Sequence, residues 1–167
     1  MPDQVIVRPA AEADVPAILD IYNYFILNST ATFDVEPQTL EEKLQWLRDA
    51  SQPYCAFVAE NGSNVVGFGS LGPFRSKVAY RYTAENSVYV RPERHGEGIG
   101  KLVLSRTVED AKENGFRAII ARIAGDNPAS VAVHKRCGFE HVGTEREVGY
   151  KFERWIDVVV MQLTLGD

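Results

Sequence analysis

The feature that most constrains the fold is the glycine-rich run Arg-His-Gly-Glu-Gly-Ile-Gly-Lys at residues 94–101. It joins a strand pattern at residues 86–90 to a helix pattern at residues 98–114, and a buried strand pattern follows at residues 118–123. Strand, helix and strand in this order predict one crossover connection in the middle of a sheet. The chain is therefore predicted to have a mixed α/β or α+β fold.

The other elements are predicted from apolar spacing and from residues that begin or end helices. Asp14 is placed to cap a first helix, Thr39 to Glu42 form a capping box for a second, and Asn127 begins a short last helix. Five further strand patterns are short and apolar, and the second and third of them flank a turn and predict a hairpin. They lie at residues 5–7, 55–59, 65–71, from about 139, and 156–165.

Glycines at the start of a helix favour an anionic ligand, because they let free backbone N–H groups approach it closely. Two common phosphate motifs are nevertheless excluded. The dinucleotide fingerprint needs a third glycine where the chain has Lys101, and the Walker motif needs Gly and Ser or Thr where the chain has His95 and Leu102. A pyrophosphate site of another type and a glycine-rich connection without a ligand remain open.

The formal net charge of −5 argues against a general nucleic-acid binder, so we expect no nucleic-acid partner. The charge is unevenly distributed. Residues 1–66 carry 10 acidic and 3 basic side chains, whereas residues 75–106 carry 7 basic and 3 acidic ones. The basic window is either a solvated surface of mixed charge or a local site for an anionic ligand.

The length of 167 residues predicts a single domain over residues 1–167. No apolar run approaches the roughly 18 residues of a membrane helix, and the first residues lack the layout of a signal peptide, so we expect no membrane partner. Two cysteines, Cys55 and Cys137, favour a cytoplasmic protein with reduced thiols. Their apolar surroundings indicate core positions rather than nucleophiles.

Two segments carry a resemblance to the GCN5-related N-acetyltransferase (GNAT) family. The glycine-rich run resembles the pyrophosphate-binding motif Gln/Arg-x-x-Gly-x-Gly/Ala; Gly98 and Gly100 match it, whereas His95, beside Arg94, departs from its first position. Residues 127–139 resemble the family's Asn-x-x-Ala/Ser-x-x-x-Tyr/His-x-x-x-Gly-Phe stretch. The resemblance implies the GNAT fold, which is a single mixed β-sheet with helices on both faces. It also implies acetyl-CoA as the co-substrate, with no metal.

Further segments narrow the resemblance to the phosphinothricin and methionine sulfoximine acetyltransferases: residues 73–90, 148–157, and 21–23 with 30–33. This similarity covers nearly the whole chain. It implies acetyl transfer to the α-amino group of a small amino acid, such as methionine sulfoximine, methionine sulfone or phosphinothricin. It also implies a homodimer whose second subunit contributes to the site near Lys151 and Phe152.

Direct acetyl transfer to an amine needs a base and a stabilised oxyanion, and it releases a thiolate. Glu85 is the expected base, because partial burial among tyrosines would raise its pKa; pairing with Arg81 at the surface is the alternative. The resemblance implies an oxyanion contact from a backbone N–H within residues 88–90. It also places His134 where an imidazole could protonate the thiolate, with a structural role as the alternative.

The resemblance also assigns binding residues. The residues expected at acetyl-CoA are Val88, Tyr89, Val90, His95, Gly96, Glu97, Gly98, Ile99, Gly100, Lys101, Asn127 and Ser130. The residues expected at the amino acid are Phe33, Arg75, Ser76, Lys77, Tyr80, Tyr82, Thr83, Glu85, Asn86 and Ser87. Cations suit its carboxylate and aromatic side chains shape a small pocket, although Arg75 and Lys77 also fit a solvated loop.

Two other functions remain open at this point. An enzyme of the same chemistry could act on another amine, such as a protein N-terminus, a polyamine or an aminoglycoside. A non-catalytic acyl-CoA-binding module would need only the glycine run and Asn127, and the presence of Glu85 in an aromatic segment argues against it.

Overall fold

Seven strands form one sheet in the computed structural model, which describes residues 4–166. In chain order they are β1 (Val5–Pro9), β2 (Cys55–Asn61), β3 (Asn64–Pro73), β4 (Thr83–Val90), β5 (Ala118–Ala124), β6 (Glu140–Lys151) and β7 (Arg154–Thr164). They lie in the order β1-β2-β3-β4-β5-β7-β6, and every neighbouring pair is antiparallel except β4 and β5. The predicted hairpin (β2–β3) and the predicted crossover (β4 to β5) are both confirmed.

Four helices cover the two faces of this sheet: α1 (Val15–Asn28), α2 (Leu40–Asp49), α3 (Ile99–Glu113) and α4 (Pro128–Arg136). Val58 packs with residues of α1, whereas its neighbour Ala59 packs with Ile99 and Val103 of α3. Because successive side chains of a strand point to opposite faces, α1 and α3 lie on opposite sides of the sheet. The expected mixed sheet with helices on both faces is confirmed.

The two predicted helix caps have different outcomes. The Thr39 hydroxyl accepts a hydrogen bond from the Glu42 N–H at 3.2 Å, and the Glu42 carboxylate accepts one from the Thr39 N–H at 2.7 Å, so the capping box is confirmed. Asp14 occupies the N-cap position of α1, as predicted, but its side chain does not cap the helix. Its carboxylate accepts hydrogen bonds from Arg8 at 2.8 and 2.9 Å and from the Ala11 N–H at 2.8 Å, and no amide of α1 donates to it. A forked guanidinium offers a carboxylate two charge-assisted bonds, which outweigh a single helix cap.

Strands β4 and β5 separate along their length, and this separation positions the site. Their parallel pairing runs only from Thr83–Ala118 to Glu85–Ile120. Beyond that point β4 continues to Val90 and β5 to Ala124 without pairing to each other. The sheet therefore opens into a wedge-shaped gap that begins immediately after Glu85.

Both cysteines are free and contribute to packing, as expected. Cys55 is buried, and burial raises the pKa of its thiol to about 12, so it stays protonated and is a poor nucleophile. Cys137 is half-buried against the same apolar cluster. Within residues 4–166, no helix combines the length and apolarity needed to cross a membrane, and no three His, Cys, Asp or Glu side chains group as metal ligands.

Candidate active site

A cleft of about 500 Å³ opens where the β4–β5 gap meets the start of α3. Its lining residues are Phe25, Ala31, Val88, Tyr89, Val90, Arg94, His95, Gly96, Gly98, Ile99, Gly100, Lys101, Asn127, Ala129, Ser130, Ala132, Val133 and Arg136. Every residue expected at acetyl-CoA lines this cleft except Glu97. The glycine run and the start of α4 therefore line the same cleft, although they are distant in sequence.

The glycine run opens the N-terminus of α3 toward the cleft. Gly96 and Gly98 have φ angles of +85° and +82°, a region that L side chains rarely adopt, and no heavy atom lies within 4 Å of where a Cβ would sit. Gly98 is the N-cap of α3 and has no side chain to occupy the first N–H groups of the helix. These donors, together with the positive end of the helix dipole, therefore favour a phosphate group.

His95, at the position where the family has Gln or Arg, stabilises the turn. Its Nε2–H donates to the Val90 carbonyl at 2.8 Å, and its ring stacks on Phe25 with 6.2 Å between centroids. Arg94, beside it, lines the cleft and forms an ion pair with Glu97 at 2.8 Å. Glu97 was expected at acetyl-CoA, but it does not line the cleft.

Two backbone N–H groups of β4 face the gap. The Arg91 N–H donates to the Val66 carbonyl of β3 at 2.8 Å. Because alternate residues of a strand direct their N–H groups to opposite neighbours, the N–H of Tyr89 also faces β3, and those of Val88 and Val90 face the gap. Within the expected oxyanion segment, the structure thus favours Val88 and Val90 over Tyr89.

Glu85 lies at the apex of the gap, half-buried on the face of the sheet that carries α1 and α2. Burial raises the pKa of its carboxyl above the ordinary value of 4.5, opposed by the positive charges of Arg122 and then Arg75. The expected upward shift is confirmed. The alternative surface pair with Arg81 does not form, because that guanidinium lies over the Tyr82 ring and donates to the Val78 carbonyl.

Asn86 and His134 meet on the opposite face of the sheet. A carbonyl only accepts hydrogen bonds, so the 2.8 Å contact between His134 Nδ1 and the Ser130 carbonyl places the proton on Nδ1. His134 Nε2 consequently accepts from Asn86 Nδ2 at 3.0 Å. Burial lowers the pKa of His134, opposed by the bond to Ser130. The general-acid role of His134 stays a prediction, but the imidazole is buried and neutral and directs no N–H into the cleft.

Asn86 was expected at the amino acid together with Glu85, and the structure buries its side chain on the α4 side of the sheet, away from Glu85. The physical reason is the strand alternation, which directs Glu85 and Ser87 to one face and Asn86 to the other. The surface on the Glu85 side of the gap, which also carries Ser87, is called the acceptor face below.

The other residues expected at the amino acid form two groups. Phe33 packs against Gly149, where an added Cβ would lie 2.4 Å from its ring, so the loop after α1 touches β6. Arg75 lies over the rings of Phe74 and Tyr80, at 4.8 and 5.6 Å from their centroids. The 74–82 segment also holds Ser76, Lys77 and Tyr82, all exposed, and leads directly into Thr83 at the start of β4. The electrostatic effect of Arg75 on Glu85 links this second group to the acceptor face.

A family model described as the acetyltransferase (GNAT) family matches residues 18–139. The chain belongs to the GNAT family. It is 39% identical over 161 residues to the L-methionine sulfoximine/L-methionine sulfone acetyltransferase of Pseudomonas aeruginosa, which covers 95% of this chain and 94% of that protein. It is also 39% identical over 159 residues to the phosphinothricin N-acetyltransferase of Streptomyces coelicolor, covering 93% of each chain.

A solved GNAT structure agrees with this fold. The phosphinothricin acetyltransferase from Sinorhizobium meliloti, in complex with acetyl-CoA, has a TM-score of 0.93 at 37% identity, covering 99% of this chain and 90% of that one. The family, the fold and the acetyltransferase class expected from the sequence are therefore confirmed.

Several residues of this GNAT site were missed by sequence reasoning. Arg136 lies seven residues after Ala129 on the same face of α4, and Ala129 also lines the cleft. Phe25 and Ala31 reach the cleft from α1 and the loop after it. Ala31 lies in the 30–33 segment that carries the resemblance, but it was not predicted as a site residue.

Lys151 lies in the segment where a second subunit was expected to contribute, and its ammonium is bound within its own chain. It is buried, and its ammonium donates to the Ser29 and Thr32 carbonyls at 2.7 and 2.8 Å. Its role is therefore to tie the loop that carries Phe33 to the end of β6.

Proposed function

We propose that this GNAT enzyme transfers an acetyl group directly from acetyl-CoA to the α-amino group of a small amino acid. Methionine sulfoximine, methionine sulfone and phosphinothricin are the candidate substrates. One observation carries the proposal: the gap between β4 and β5 opens directly after Glu85, so the cleft on one side meets a half-buried carboxylate on the other. The substrates named for the relatives from P. aeruginosa and S. coelicolor support the choice of amine.

The residues of the cleft fit acetyl-CoA, which supplies an acetyl thioester when bound. The first N–H groups of α3 face space that no side chain occupies, and they would hold the pyrophosphate. Lys101 and Arg136 line the same cleft and add positive charge. Asn127 caps α4 through the Ser130 N–H at 3.2 Å and also lines the cleft, which supports its assignment to acetyl-CoA.

In this mechanism Glu85 accepts the proton of the substrate ammonium, directly or through a water. The α-amine of a free amino acid is protonated at neutral pH, so a base with a raised pKa assists the attack. The N–H groups of Val88 and Val90 face the gap and would stabilise the oxyanion. We assign His134 a positioning role, because both of its nitrogens are engaged, and the thiolate then leaves without an acid from this residue.

The substrate carboxylate is assigned to Arg75 and Lys77. Both come from the exposed 74–82 segment, and Arg75 is close enough to Glu85 to affect the pKa of that carboxyl. A guanidinium and an ammonium are the side chains that bind carboxylates most strongly.

A homodimer in the cytoplasm is part of the proposal. The hairpin of β6 and β7 exposes a group of large apolar side chains, which an interface would cover: Val148, Tyr150, Phe152 and Trp155. Trp155 is the most exposed of these four side chains, at 63%. The two free cysteines suit a reducing compartment. The single domain over residues 1–167 stays a prediction.

A thiol-release assay with acetyl-CoA across a panel of amines tests the function, with each product weighed by mass spectrometry. We expect acetylation of methionine sulfone, methionine sulfoximine or phosphinothricin on the α-amine, and no release above background without an amine. Turnover restricted to polyamines, aminoglycosides or peptides would contradict the amino-acid assignment. Tight binding of acetyl-CoA without turnover of any amine would favour a binding module.

Sedimentation or light scattering tests the dimer. We expect twice the monomer mass, and Trp155→Ser is expected to shift the equilibrium toward the monomer. Arg48→Gln, an exposed change on α2, serves as the control. A wild-type monomer at micromolar concentration would contradict the proposal.

A further inference from the structure

Arg122 is a charged residue of the acceptor face that the proposed mechanism does not use. It lies in β5, two residues after Ile120, and Ile120 pairs with Glu85 across the β4–β5 boundary. Paired residues share a face of the sheet, and so do residues two positions apart on one strand. Arg122 therefore projects from the same face as Glu85, on the β5 side of the gap and beyond its apex.

The guanidinium of Arg122 is available to a ligand. Its contact within the described residues is one ion pair, from Nη2 to the Glu145 carboxylate of β6. Both side chains are 43% exposed, and an exposed pair of this kind contributes little to stability, so an incoming anion can compete for it. A guanidinium has five N–H donors in a planar fork, and this pair leaves most of them free.

Two guanidinium groups consequently approach Glu85 from different directions. Arg75 comes from the loop after β3, and Arg122 comes from β5 on the far side of the gap. Both lower the pKa of the Glu85 carboxyl through their charge, with the larger effect from Arg122. In the proposed mechanism Arg75 and Lys77 already bind the α-carboxylate of the substrate. An amino acid with a neutral side chain therefore needs no contact with Arg122.

We propose that Arg122 determines specificity by binding an anionic group on the side chain of the amino-acid substrate. The enzyme then prefers α-amino acids whose side chain ends in a phosphinate or a carboxylate over those that end in a neutral sulfone. The α-carboxylate lies toward Arg75, the α-amine lies at Glu85, and the side-chain anion takes the place of Glu145 on the guanidinium. This inference rests on the proposed function and selects among its substrates.

The test compares kcat/KM for phosphinothricin, whose side chain is an anionic phosphinate, with kcat/KM for methionine sulfone, whose side chain is neutral. Wild type and Arg122→Gln are measured with both substrates at saturating acetyl-CoA. A charge-assisted hydrogen bond contributes about 1.5–3 kcal/mol, so the ratio of phosphinothricin to sulfone should fall at least about tenfold in the variant. Arg122→Lys should recover part of the ratio, because it keeps the charge but loses the fork.

Two further variants separate specificity from a general loss of structure. Glu145→Gln frees the guanidinium and should raise kcat/KM for phosphinothricin by a factor of about two to five, which a purely structural pair would not do. Arg48→Gln is the control. It removes a comparably exposed guanidinium from helix α2, where Arg48 pairs with Glu12 at 3.0 Å, and it should leave the ratio unchanged.

The possible outcomes distinguish this inference from the proposed function. Wild-type preference for the sulfone, or an equal fall for both substrates in Arg122→Gln, overturns the role of Arg122 while the amino-acid acetyltransferase stands. Failure of the wild type to acetylate either amino acid overturns both. A selective fall for phosphinothricin together with a gain in Glu145→Gln supports the inference.

Discussion

The two sides of the β4–β5 gap are built in different ways. The co-substrate cleft is made mostly from two continuous segments, residues 94–101 and 127–136, and it presents backbone N–H groups and small side chains. The acceptor face is made from charged and aromatic side chains that come from the loop after α1, the loop after β3, and strands β4 to β6. A backbone site for a constant co-substrate depends on local conformation, whereas a side-chain site for a variable amine depends on packing between distant segments.

The largest expected effect is the loss of activity in Glu85→Gln, a substitution on the acceptor face. The amide cannot accept the ammonium proton, so kcat should fall by roughly 10²–10⁴-fold. The wild type should also lose activity as the pH falls through the pKa of Glu85, which burial places above 4.5, and the variant should lack this limb of the kcat/KM profile. The affinity for acetyl-CoA, measured by calorimetry, should change little. A variant rate within threefold of the wild type would remove Glu85 from the mechanism and leave the cleft alone as the functional site.

Lys151→Met should disturb the acceptor face through its supporting loop. It removes two donors to the Ser29 and Thr32 carbonyls, so the free energy of unfolding should fall by about 1–3 kcal/mol in urea titrations. The loop carries Phe33, so the KM for the amine should rise more than the KM for acetyl-CoA. Lys112→Met on the exposed surface of α3 is the control. Equal changes in both KM values would mean that the loop supports the two sides alike.

Gly98→Ala should disturb the cleft instead. Its φ of +82° disfavours a Cβ, and that Cβ would project into space that the pyrophosphate needs. Losing one charge-assisted hydrogen bond corresponds to about a tenfold rise in the KM for acetyl-CoA, with the KM for the amine nearly constant. Gly115→Ala is a matched control, because Gly115 has a φ of +78° and open space but lies at the other end of α3. The same KM for acetyl-CoA in both variants would argue against a phosphate site at Gly98.

The smallest expected effect is on the pH dependence of stability, through the buried imidazole of His134. Its pKa is lowered in the folded protein, so the unfolded chain binds a proton near pH 6.5 that the native protein resists. The contribution of neutral His134 to the free energy of unfolding is therefore fully present above pH 6.5. It is lost as the pH falls below 6.5, by up to about 1.4 kcal/mol per pH unit. Urea midpoints at pH 7.5 and 5.5 should show a smaller loss for His134→Gln than for the wild type. The exposed His141→Gln should behave as the wild type, and an identical loss in all three proteins would contradict the assignment of a buried neutral imidazole.

Much of the fold was predictable because its signals are local. The capping box at Thr39, the glycine at the start of α3 and the hairpin turn each act on residues within a few positions. Asp14 stands at the N-cap of α1, as predicted, but its side chain does not cap the helix, because Arg8 binds the carboxylate in a bidentate geometry. A sequence motif does not reveal such competition between a local cap and a nearby cation.

The candidate site was predictable to different degrees on its two sides. The residues expected at acetyl-CoA lay in recognisable segments, and all of them except Glu97 line the cleft. For the acceptor face the sequence predicted Glu85, grouped Asn86 with it although the two side chains lie on opposite faces, and did not single out Arg122. Both of these depend on strand alternation and on register between β4 and β5, which form across about 35 residues of intervening chain.

The sequence by itself determined the order of elements, the glycine turn and the family, because backbone preference and motif spacing act between near neighbours. Only the tertiary structure decided where β4 leaves β5, which N–H groups that separation exposes, and which charges surround Glu85. Those properties arise from pairing between strands and from burial, and neither is encoded in a single continuous stretch of the chain.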